Sequence, residues 1–419
     1  MTVLVLHRGA LADSPYHEWL AGYYGRIVLL ASAGHLAPGE TLPWEHEAYA
    51  HVEAFDDYDD HPDVERRALE LAVKFGCGYV VACAERDLER AARIRAALDL
   101  PGARPAAVLP FRDKWEMKRV AARSGLPVAA QALLTGGGVL RDFVARHGLP
   151  VVVKPRRGAG SVGVRVLSEP AEAEAYDAAP VAAAADGEPA ELVEAFVPGE
   201  MFHVDGLVLD GRIVTMWPFE YLFRLASFRV DRGSRLDLSL DPSDPLTARL
   251  LDFAERVLAA LPRQRHHAFH IEVFRTPDDE LVLCEAACRP PGAALRHVHR
   301  AMYGFDPAEA AVRAELALPA APGAALTGER LAPQAMAGQL LIMKRPGRVR
   351  RLAHGVAESS GVTWHRTNAE PGGLLTAPKA SSDVLTATVV RAADRAGCES
   401  RMRALGARIL AETEIVPEG

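Results

Sequence analysis

The chain has 419 residues, a length that predicts about three domains at roughly 150 residues per domain. Its apolar fraction of 49% and charged fraction of 25% are those of a globular protein and exclude disordered, collagenous and fibrous classes. The formal net charge of −7 disfavours a nucleic-acid partner, because an acidic chain repels the phosphate backbone.

The first hundred residues alternate short apolar runs with helical stretches. Residues 3–6, 27–31 and 79–83 are predicted strands, and residues 85–98 a predicted helix. This alternation is typical of a parallel sheet built from βαβ units. We therefore expect a Rossmann-like domain over residues 1–110, closing with a proline-containing linker at 101–110.

A small second domain is expected over residues 111–190. Asp113 can cap a helix that runs from Lys114 to about Ser124, with Gly125 as a stop signal. The alanine-rich stretch 177–191 has too little bulk for a core and is interpreted as a hinge or mobile surface.

Residues 151–167 carry the first chemical signal, a glycine-rich loop between two β-branched runs. The loop contains Gly158, Gly160, Ser161 and Gly163, and Lys154 ends the run before it. A dinucleotide fingerprint needs a helix after its glycines, so the strand-like residues 164–167 argue against that fold. Such a hairpin can instead lay backbone N–H groups over phosphates, although an ordinary glycine-rich turn fits the pattern equally well.

The remaining residues, 191–419, are predicted to form a larger lobe with a terminal subdomain from about 330. Asp210 and Gly211 predict a two-residue hairpin turn. The basic stretch 223–235 can receive a substrate carboxylate or form an exposed charged loop. The histidines at 266, 267, 297 and 299 lack a zinc framework and are interpreted as surface or packing residues.

A second hairpin places two acidic side chains opposite each other. If Asp278 and Asp279 form a two-residue turn, Glu272 directly faces Glu285, and His270 faces Ala287. Like charges at such positions destabilise a sheet unless a cation neutralises them, and oxygen ligands favour Mg²⁺ or Mn²⁺. The alternative is a solvated hairpin with two surface glutamates, but its apolar flanks indicate a buried sheet.

These segments together resemble the ATP-grasp superfamily, and within it the carboxylate-amine ligases that join amino acids into dipeptides. The similarity rests on Asp113-Lys114, Lys154 with its glycine loop, residues 191–200, residues 269–272, and Glu285 followed four residues later by Arg289. It covers nearly the whole chain. The resemblance implies an ATP-grasp fold of mixed α/β and α+β class: a Rossmann-like N-terminal domain, a small central α+β lid lobe and a larger C-terminal α+β lobe.

The resemblance also implies roles for individual residues. ATP would lie between the two lobes, with Glu272 and Glu285 holding magnesium and Arg289 acting at the acyl phosphate. The expected nucleotide contacts are Lys114, Lys154, Gly158, Gly160, Ser161, Gly163, Glu194, Ala195 and Val197. As a group these side chains suit phosphoryl transfer, which depends mainly on positioning and charge neutralisation.

Two positions depart from the superfamily pattern. Ala287 replaces an asparagine that would supply a further carbonyl ligand to metal. Met201 replaces a ribose-binding glutamate, so the neighbouring Glu200, or His203 or Asp205 on the next strand, are the substitute candidates. His270 is a candidate for orienting a metal-bound water or the acyl phosphate, with a structural role as the alternative.

The cysteine pattern and hydropathy complete the expectations. Five dispersed cysteines without a C-x-x-C pair indicate a reducing, cytoplasmic location. No apolar run approaches the roughly 18 residues of a membrane span, so no membrane partner is expected.

The resulting hypothesis is an ATP- and magnesium-dependent ligase that joins amino-acid-like or peptide substrates and releases ADP and phosphate. Related ligases are commonly dimers, so a homodimer is expected. Two alternatives remain: a ligase or carboxylase of the same fold with another acceptor, as in biotin carboxylation or amide formation on nucleotide precursors, and a non-enzymatic nucleotide-binding protein with a decayed site.

Overall fold

The N-terminal region forms the predicted parallel sheet. The computed structural model describes residues 1–36, 46–180, 187–224, 227–228, 230–321, 324 and 328–417. Strands β1 (Thr2–His7), β2 (Ile27–Ser32), β3 (Tyr49–Phe55) and β4 (Cys77–Ala82) pair in the order β3-β2-β1-β4. Helices α1 (Tyr16–Trp19), α2 (Asp63–Lys74) and α3 (Glu85–Ala97) accompany them. All the pairings are parallel, and both faces of the sheet are buried, as is usual for βαβ units.

The expected linker at 101–110 is wrong, because most of it lies in helix α4 (Pro105–Arg112). Pro105 occupies the first turn, where its missing N–H costs nothing, and Pro110 lies inside the helix. Val108 and Phe111 are 1% and 2% exposed, so tertiary packing stabilises a helix that the proline signals argued against.

Helix α5 (Lys114–Arg123) confirms the predicted cap. The Asp113 carboxylate accepts hydrogen bonds from the backbone N–H of Trp115 at 3.0 Å and of Glu116 at 3.4 Å. Arg156 also donates to this carboxylate, so the start of α5 is tied to the end of a strand in the next sheet.

A four-stranded sheet follows, and we call it, with its glycine-rich loop, the lid. Its strands are β5 (Gln131–Leu133), β6 (Val151–Pro155), β7 (Arg165–Leu167) and β8 (Glu191–Ala195), ordered β5-β8-β6-β7, with helices α6 (Val139–His147) and α7 (Pro170–Asp177). Strand β8 places Glu191 and its neighbours in the lid, so the lid sheet extends to Ala195 rather than stopping at 190. Residues 181–186 of the alanine-rich stretch lie outside the described residues.

The largest sheet has eight strands in the order β13-β12-β9-β10-β11-β14-β18-β16. These are β9 (Glu200–Leu209), β10 (Arg212–Tyr221), β11 (Ser234–Ser239), β12 (His267–Arg275), β13 (Leu281–Ala287), β14 (Met336–Met343), β16 (Val362–Thr367) and β18 (Val384–Ala392). A three-stranded sheet contains β15 (Gly347–Arg351), β17 (Leu374–Leu375) and β19 (Glu414–Val416). Strands from both sides of residue 330 share the large sheet, so the chain after 330 completes that sheet.

Helices cover the large sheet unequally and leave one side facing a cleft. The helices of this region are α8 (Pro245–Ala260), α9 (Leu295–Tyr303), α10 (Pro307–Glu315) and α11 (Arg395–Glu412). On one face, Leu250 and Phe253 of α8 and Met117 of α5 pack against the apolar residues of β9 and β12. The opposite face carries polar residues of β9 and β12, and we call it the floor.

Candidate active site

A cleft of about 2770 Å³ opens between the lid, the floor and the N-terminal domain. The lid contributes Lys154, Glu194 and the glycine-rich loop, and the floor contributes Glu272 and Glu285. The N-terminal domain adds Glu85, the first residue of α3. The cleft therefore collects most of the side chains that the sequence singled out.

Glu272 and Glu285 face each other across β12 and β13, as predicted. The predicted two-residue turn is wrong: residues 276–280 form a longer loop, closed by a hydrogen bond from Thr276 N to Glu280 O. A one-residue register shift between Val273 and Glu272 compensates for the longer loop and restores the expected pairing. The two carboxylates consequently share the cleft side of the hairpin.

A lysine and a tyrosine lie next to the two carboxylates. Lys114 Nζ lies 3.1 Å from Glu285 Oε1, and Tyr221 donates its hydroxyl to Glu272 Oε1 at 3.3 Å. Burial raises the pKa of Glu272, but the hydrogen bond and charge of His270 outweigh burial and lower it. Two carboxylates on one face, which offer only oxygen ligands, fit a hard divalent cation such as Mg²⁺ or Mn²⁺.

A second charged cluster lies between the lid and α5, where Glu194 of β8 contacts Lys154 of β6 and Lys118 of α5. Lys154 Nζ is 2.8 Å from Glu194 Oε2, and Lys118 Nζ is 2.6 Å from Glu194 Oε1. Burial raises the pKa of Glu194, but the two ammonium groups outweigh it and lower the pKa. The sequence analysis missed Lys118, although its position one helical turn after Lys114 on α5 was an available signal.

The glycine-rich loop lies over the cleft between β6 and β7, as the strand-loop-strand interpretation predicted. Lys114 Nζ donates to the carbonyl of Gly158 at 2.8 Å, which ties the loop to α5. Gly163 has a φ of +76°, and a Cβ there would lie 2.8 Å from Pro155 Cγ, so the turn requires glycine. Gly160 and Ser161 also have positive φ angles, and both line the cleft.

Arg289 reaches the cleft as part of a buried charge cluster. Its Nε donates to Glu85, and its Nη1 donates to the carbonyl of Pro290 at 2.9 Å. Arg112 Nη1 donates to the other oxygen of Glu85 at 2.6 Å. Burial raises the pKa of Glu85, but the two guanidinium groups outweigh it and lower the pKa to about 2. The sequence analysis missed Glu85 and Arg112, which lie about 200 residues before Arg289.

His270 lies at the edge of the floor beside Glu272. Its Nδ1 is 2.6 Å from Asp205 Oδ1, and its Nε2 is 3.4 Å from Glu272 Oε1. Burial lowers the pKa of His270, but Asp205 outweighs burial and raises it to about 9. His270 therefore links the acidic pair to a buried polar group behind it.

His203 is not placed where a ribose contact requires it. It is fully buried between Asp205, at 3.1 Å, and Asp237, at 2.9 Å, and it is not among the residues that line the cleft. The sequence analysis expected a ribose contact here, because the polar partners of His203 on neighbouring strands were not visible in the sequence. Glu200 does line the cleft, with an ion pair to Arg275 at 2.9 Å.

The remaining residues singled out by the sequence analysis lie both at the cleft and away from it. Ala195 and Val197 line the cleft at the end of β8, next to Phe196. In the basic stretch 223–235, Arg224 lines the cleft, Arg235 is buried against the Phe223 ring at 4.1 Å, and residues 225, 226 and 229 lie outside the described residues. His299 is a packing residue, as interpreted, bonded to Thr215 at 2.9 Å.

Comparisons with known proteins agree with this geometry. No family model matches the chain. An L-arginine-specific L-amino acid ligase of Bacillus subtilis is 24% identical over 251 residues, which cover 58% of this chain and 59% of that protein. The chain therefore matches about three fifths of the length of that relative.

Solved structures share the architecture over the whole chain. An L-amino acid ligase from Bacillus licheniformis has a TM-score of 0.75 at 16% identity, covering 100% of this chain and 99% of that one. An N5-carboxyaminoimidazole ribonucleotide synthetase from Thermotoga maritima has a TM-score of 0.69 at 16% identity, with 100% of both chains covered.

The chain thus has the ATP-grasp fold, and its predicted resemblance to the ATP-grasp carboxylate-amine ligases is confirmed. Among the described residues, no helix is long and apolar enough to cross a membrane.

Proposed function

We propose that this protein is an ATP- and magnesium-dependent ligase that forms a peptide bond between two amino-acid-like substrates. The observation that carries the proposal is the facing pair Glu272 and Glu285 on the floor, across the cleft from Lys154 of the lid. One half of the cleft offers carboxylates to a cation, and the other offers cations to phosphates. This division is what a magnesium nucleotide requires.

The lid and α5 bind the nucleotide in this account. Lys114 and Lys154 neutralise phosphate charge, while backbone N–H groups of residues 158–163 contact phosphate oxygens. Glu194, Ala195 and Val197 receive the adenine and ribose end, where β8 leaves the lid. Glu200 is the proposed ribose ligand in place of the glutamate that Met201 replaces.

The floor holds the reacting groups. Glu272 and Glu285 would hold Mg²⁺, which would supply charge neutralisation for the nucleotide phosphates. Attack of a substrate carboxylate on the γ-phosphate gives an acyl phosphate and ADP, and an amine then displaces phosphate. Lys114, 3.1 Å from Glu285, stands between this pair and the glycine-rich loop, where charge develops on the transferred group.

Arg289 is suited to bind the acyl phosphate. Its Nε and Nη1 are occupied by Glu85 and the Pro290 carbonyl, which fix the plane of the guanidinium. Its Nη2 has no hydrogen-bond partner among the described residues and can donate to an oxygen in the cleft. A guanidinium group whose orientation is already fixed by two hydrogen bonds binds an anion with little loss of side-chain entropy.

Amino acids are the proposed substrates because the sequence relative and one structural neighbour are both named as L-amino acid ligases. The test is phosphate release from MgATP in the presence of paired amino acids, with mass detection of dipeptide. Release that requires both amino acids, with a matching dipeptide mass, supports the proposal. Turnover that is independent of every amino acid would overturn it.

A carboxylase of the same fold is the second candidate, because the Thermotoga maritima synthetase covers the whole chain at a TM-score of 0.69. Bicarbonate replaces the amino acids in a parallel assay. Phosphate release that depends on bicarbonate would select this candidate. A protein whose melting temperature rises with MgADP but which releases no phosphate in either assay would indicate the non-enzymatic alternative.

A further inference from the structure

Five polar side chains cross the floor behind Glu272 in one buried row. We call this set the polar row, and its members are His270, Asp205, His203, Asp237 and Gln339. Their exposed fractions are between 0% and 9%. Burying this many polar groups is costly unless each is hydrogen-bonded, and an apolar set packs equally well at lower cost. The row therefore serves a purpose beyond filling space.

The row leads from the acidic pair toward helix α9 through hydrogen bonds and one ion-pair contact, between His203 Nδ1 and Asp205 Oδ2 at 3.1 Å. Beyond His270 and Asp205, His203 Nε2 lies 2.9 Å from Asp237 Oδ1. Gln339 Nε2 then donates to Asp237 Oδ2 at 2.8 Å, and Gln339 Oε1 accepts from the backbone N–H of Ala294 at 2.9 Å. The path crosses from β12 and β9 to β11 and β14.

The chemistry of the last two links allows one arrangement. The Asp237 carboxylate accepts hydrogen bonds, and the Ala294 N–H donates one. The Gln339 amide has one accepting and one donating end, so it joins them in a single orientation. A change that reverses either end forces the amide to lose one of its two partners.

Ala294 is the residue that the row holds in place, and it ends the segment that carries Arg289. Residues 289–293 line the cleft, and α9 begins at Leu295. Ala293 has a φ of +50°, a left-handed conformation that is unfavourable for a residue with a Cβ and persists where neighbours enforce it. The hydrogen bond from Ala294 to Gln339 is one such constraint on the adjacent residue.

We propose that Asp237 and Gln339 are positioning residues for the ligase reaction. They fix the segment 289–294, and thus Arg289, relative to Glu272, so that the acyl-phosphate site and the metal site keep one geometry. Neither residue is assigned a contact with reacting atoms. This inference rests on the proposed function of the cleft.

Asp237→Asn breaks the path while preserving shape. The new amide can still accept from His203, but its NH₂ group then meets the NH₂ group of Gln339. If Gln339 turns over, it presents NH₂ to the Ala294 N–H, and that link is lost. We expect kcat for phosphate release to fall about 10-fold to 100-fold, the usual loss when an outer-shell partner is removed. KM for ATP should change less than about twofold, since the lid is untouched.

The double variant Asp237→Asn with Gln339→Glu restores complementary partners. The carboxylate introduced at position 339 accepts both from the amide introduced at position 237 and from the Ala294 N–H, so most of the lost kcat should return. Gln339→Glu alone places two carboxylates together and should lose kcat. Thr388→Val is the matched control, because Thr388 is fully buried in the same sheet and bonds His365 at 2.8 Å, outside the row.

Melting temperatures separate positioning from folding. If Asp237→Asn does not fold, Gln339→Met removes the same Ala294 link with an uncharged side chain, and the same loss of kcat is expected. Recovery in the double variant, with unchanged kcat in Thr388→Val, supports the inference. Unchanged kcat in folded Asp237→Asn or Gln339→Met would overturn it while leaving the proposed function intact. Absence of phosphate release by the wild-type protein would instead overturn both.

Discussion

The lid and the floor each place buried charges beside the cleft, but with opposite excess. At the lid, one carboxylate, Glu194, lies between Lys154 of the lid and Lys118 of α5. On the floor, two carboxylates face each other, with one lysine at 3.1 Å from Glu285. The lid cluster has surplus positive charge suited to phosphates, and the floor has surplus negative charge suited to a metal ion. The two surfaces therefore divide the recognition of a magnesium nucleotide.

The difference also indicates which surface depends on its ligand. The Glu194 carboxylate has both oxygens paired with ammonium groups, so the charge of this cluster is compensated without a ligand. Directly opposed glutamates repel, and a bound cation would reverse that repulsion. We expect changes on the floor to affect turnover most, and changes in the lid to affect nucleotide affinity.

The largest expected effect is that of Glu285→Gln, which keeps side-chain volume and removes one charged ligand. Phosphate release should fall by about 1000-fold, the scale of losing a preorganised charged group at the reacting centre. The control is Glu280→Gln, an exposed residue in the same hairpin, which should retain wild-type turnover. Equal turnover in the two variants would show that Glu285 on the floor takes no part in the reaction.

Arg289→Lys has the second-largest expected effect. It tests whether the reaction requires an oriented guanidinium group or only a positive charge. Lysine keeps the charge but cannot satisfy Glu85, the Pro290 carbonyl and a cleft anion at once. We expect kcat to fall about 100-fold, with a smaller change in KM for ATP. The measurement is steady-state phosphate release, and a full kcat in the lysine variant would show that charge alone is sufficient.

Lys154→Met sharpens the comparison from the lid side. Loss of one ammonium group should weaken ADP binding by about 10-fold, with a smaller effect on kcat. Titration calorimetry with ADP measures this affinity. The control is Lys74→Met, a change at an exposed lysine at the end of α2. Unaltered ADP affinity in Lys154→Met would mean that Lys154 serves only its ion pair with Glu194.

Glu85→Gln tests the buried charge cluster through the pH dependence of stability. Because the pKa of Glu85 falls from 4.5 to about 2 on folding, its carboxylate stabilises the fold above pH 4.5. That contribution is lost as pH falls from 4.5 toward 2. The difference in urea midpoint between wild type and variant should therefore be full at about pH 7 and should shrink at about pH 3. A difference independent of pH would contradict the Arg112-Glu85-Arg289 cluster.

Local sequence signals were sufficient for much of the site. The Asp113 cap, the glycine-rich loop and the Glu272-Glu285 pairing each depend on residues close together in the chain. The pairing was predicted from a turn that is wrong, and it survived because a register shift offsets the longer loop. Without that shift the longer loop would have placed the two glutamates on opposite faces, because a one-residue change of register turns side chains to the other side of a sheet.

Contacts between distant segments were not accessible in the same way. Glu85 and Arg289 come from different domains, and Asp237 and Gln339 lie on strands joined only through the sheet order. Nothing in the type or the sequence spacing of these residues predicts that they are in contact. Helix α4 was missed because burial of Val108 and Phe111 outweighs local proline preferences. Tertiary packing decided each of these cases.

The central claim is that Glu272 and Glu285 together bind the cation that holds the nucleotide phosphates. Anomalous diffraction from a crystal grown with Mn²⁺ and ADP locates that cation directly. We expect a manganese peak about 2.2 Å from a carboxylate oxygen of each glutamate, with a phosphate oxygen in the same coordination sphere. A nucleotide bound with its manganese away from both glutamates would contradict the account.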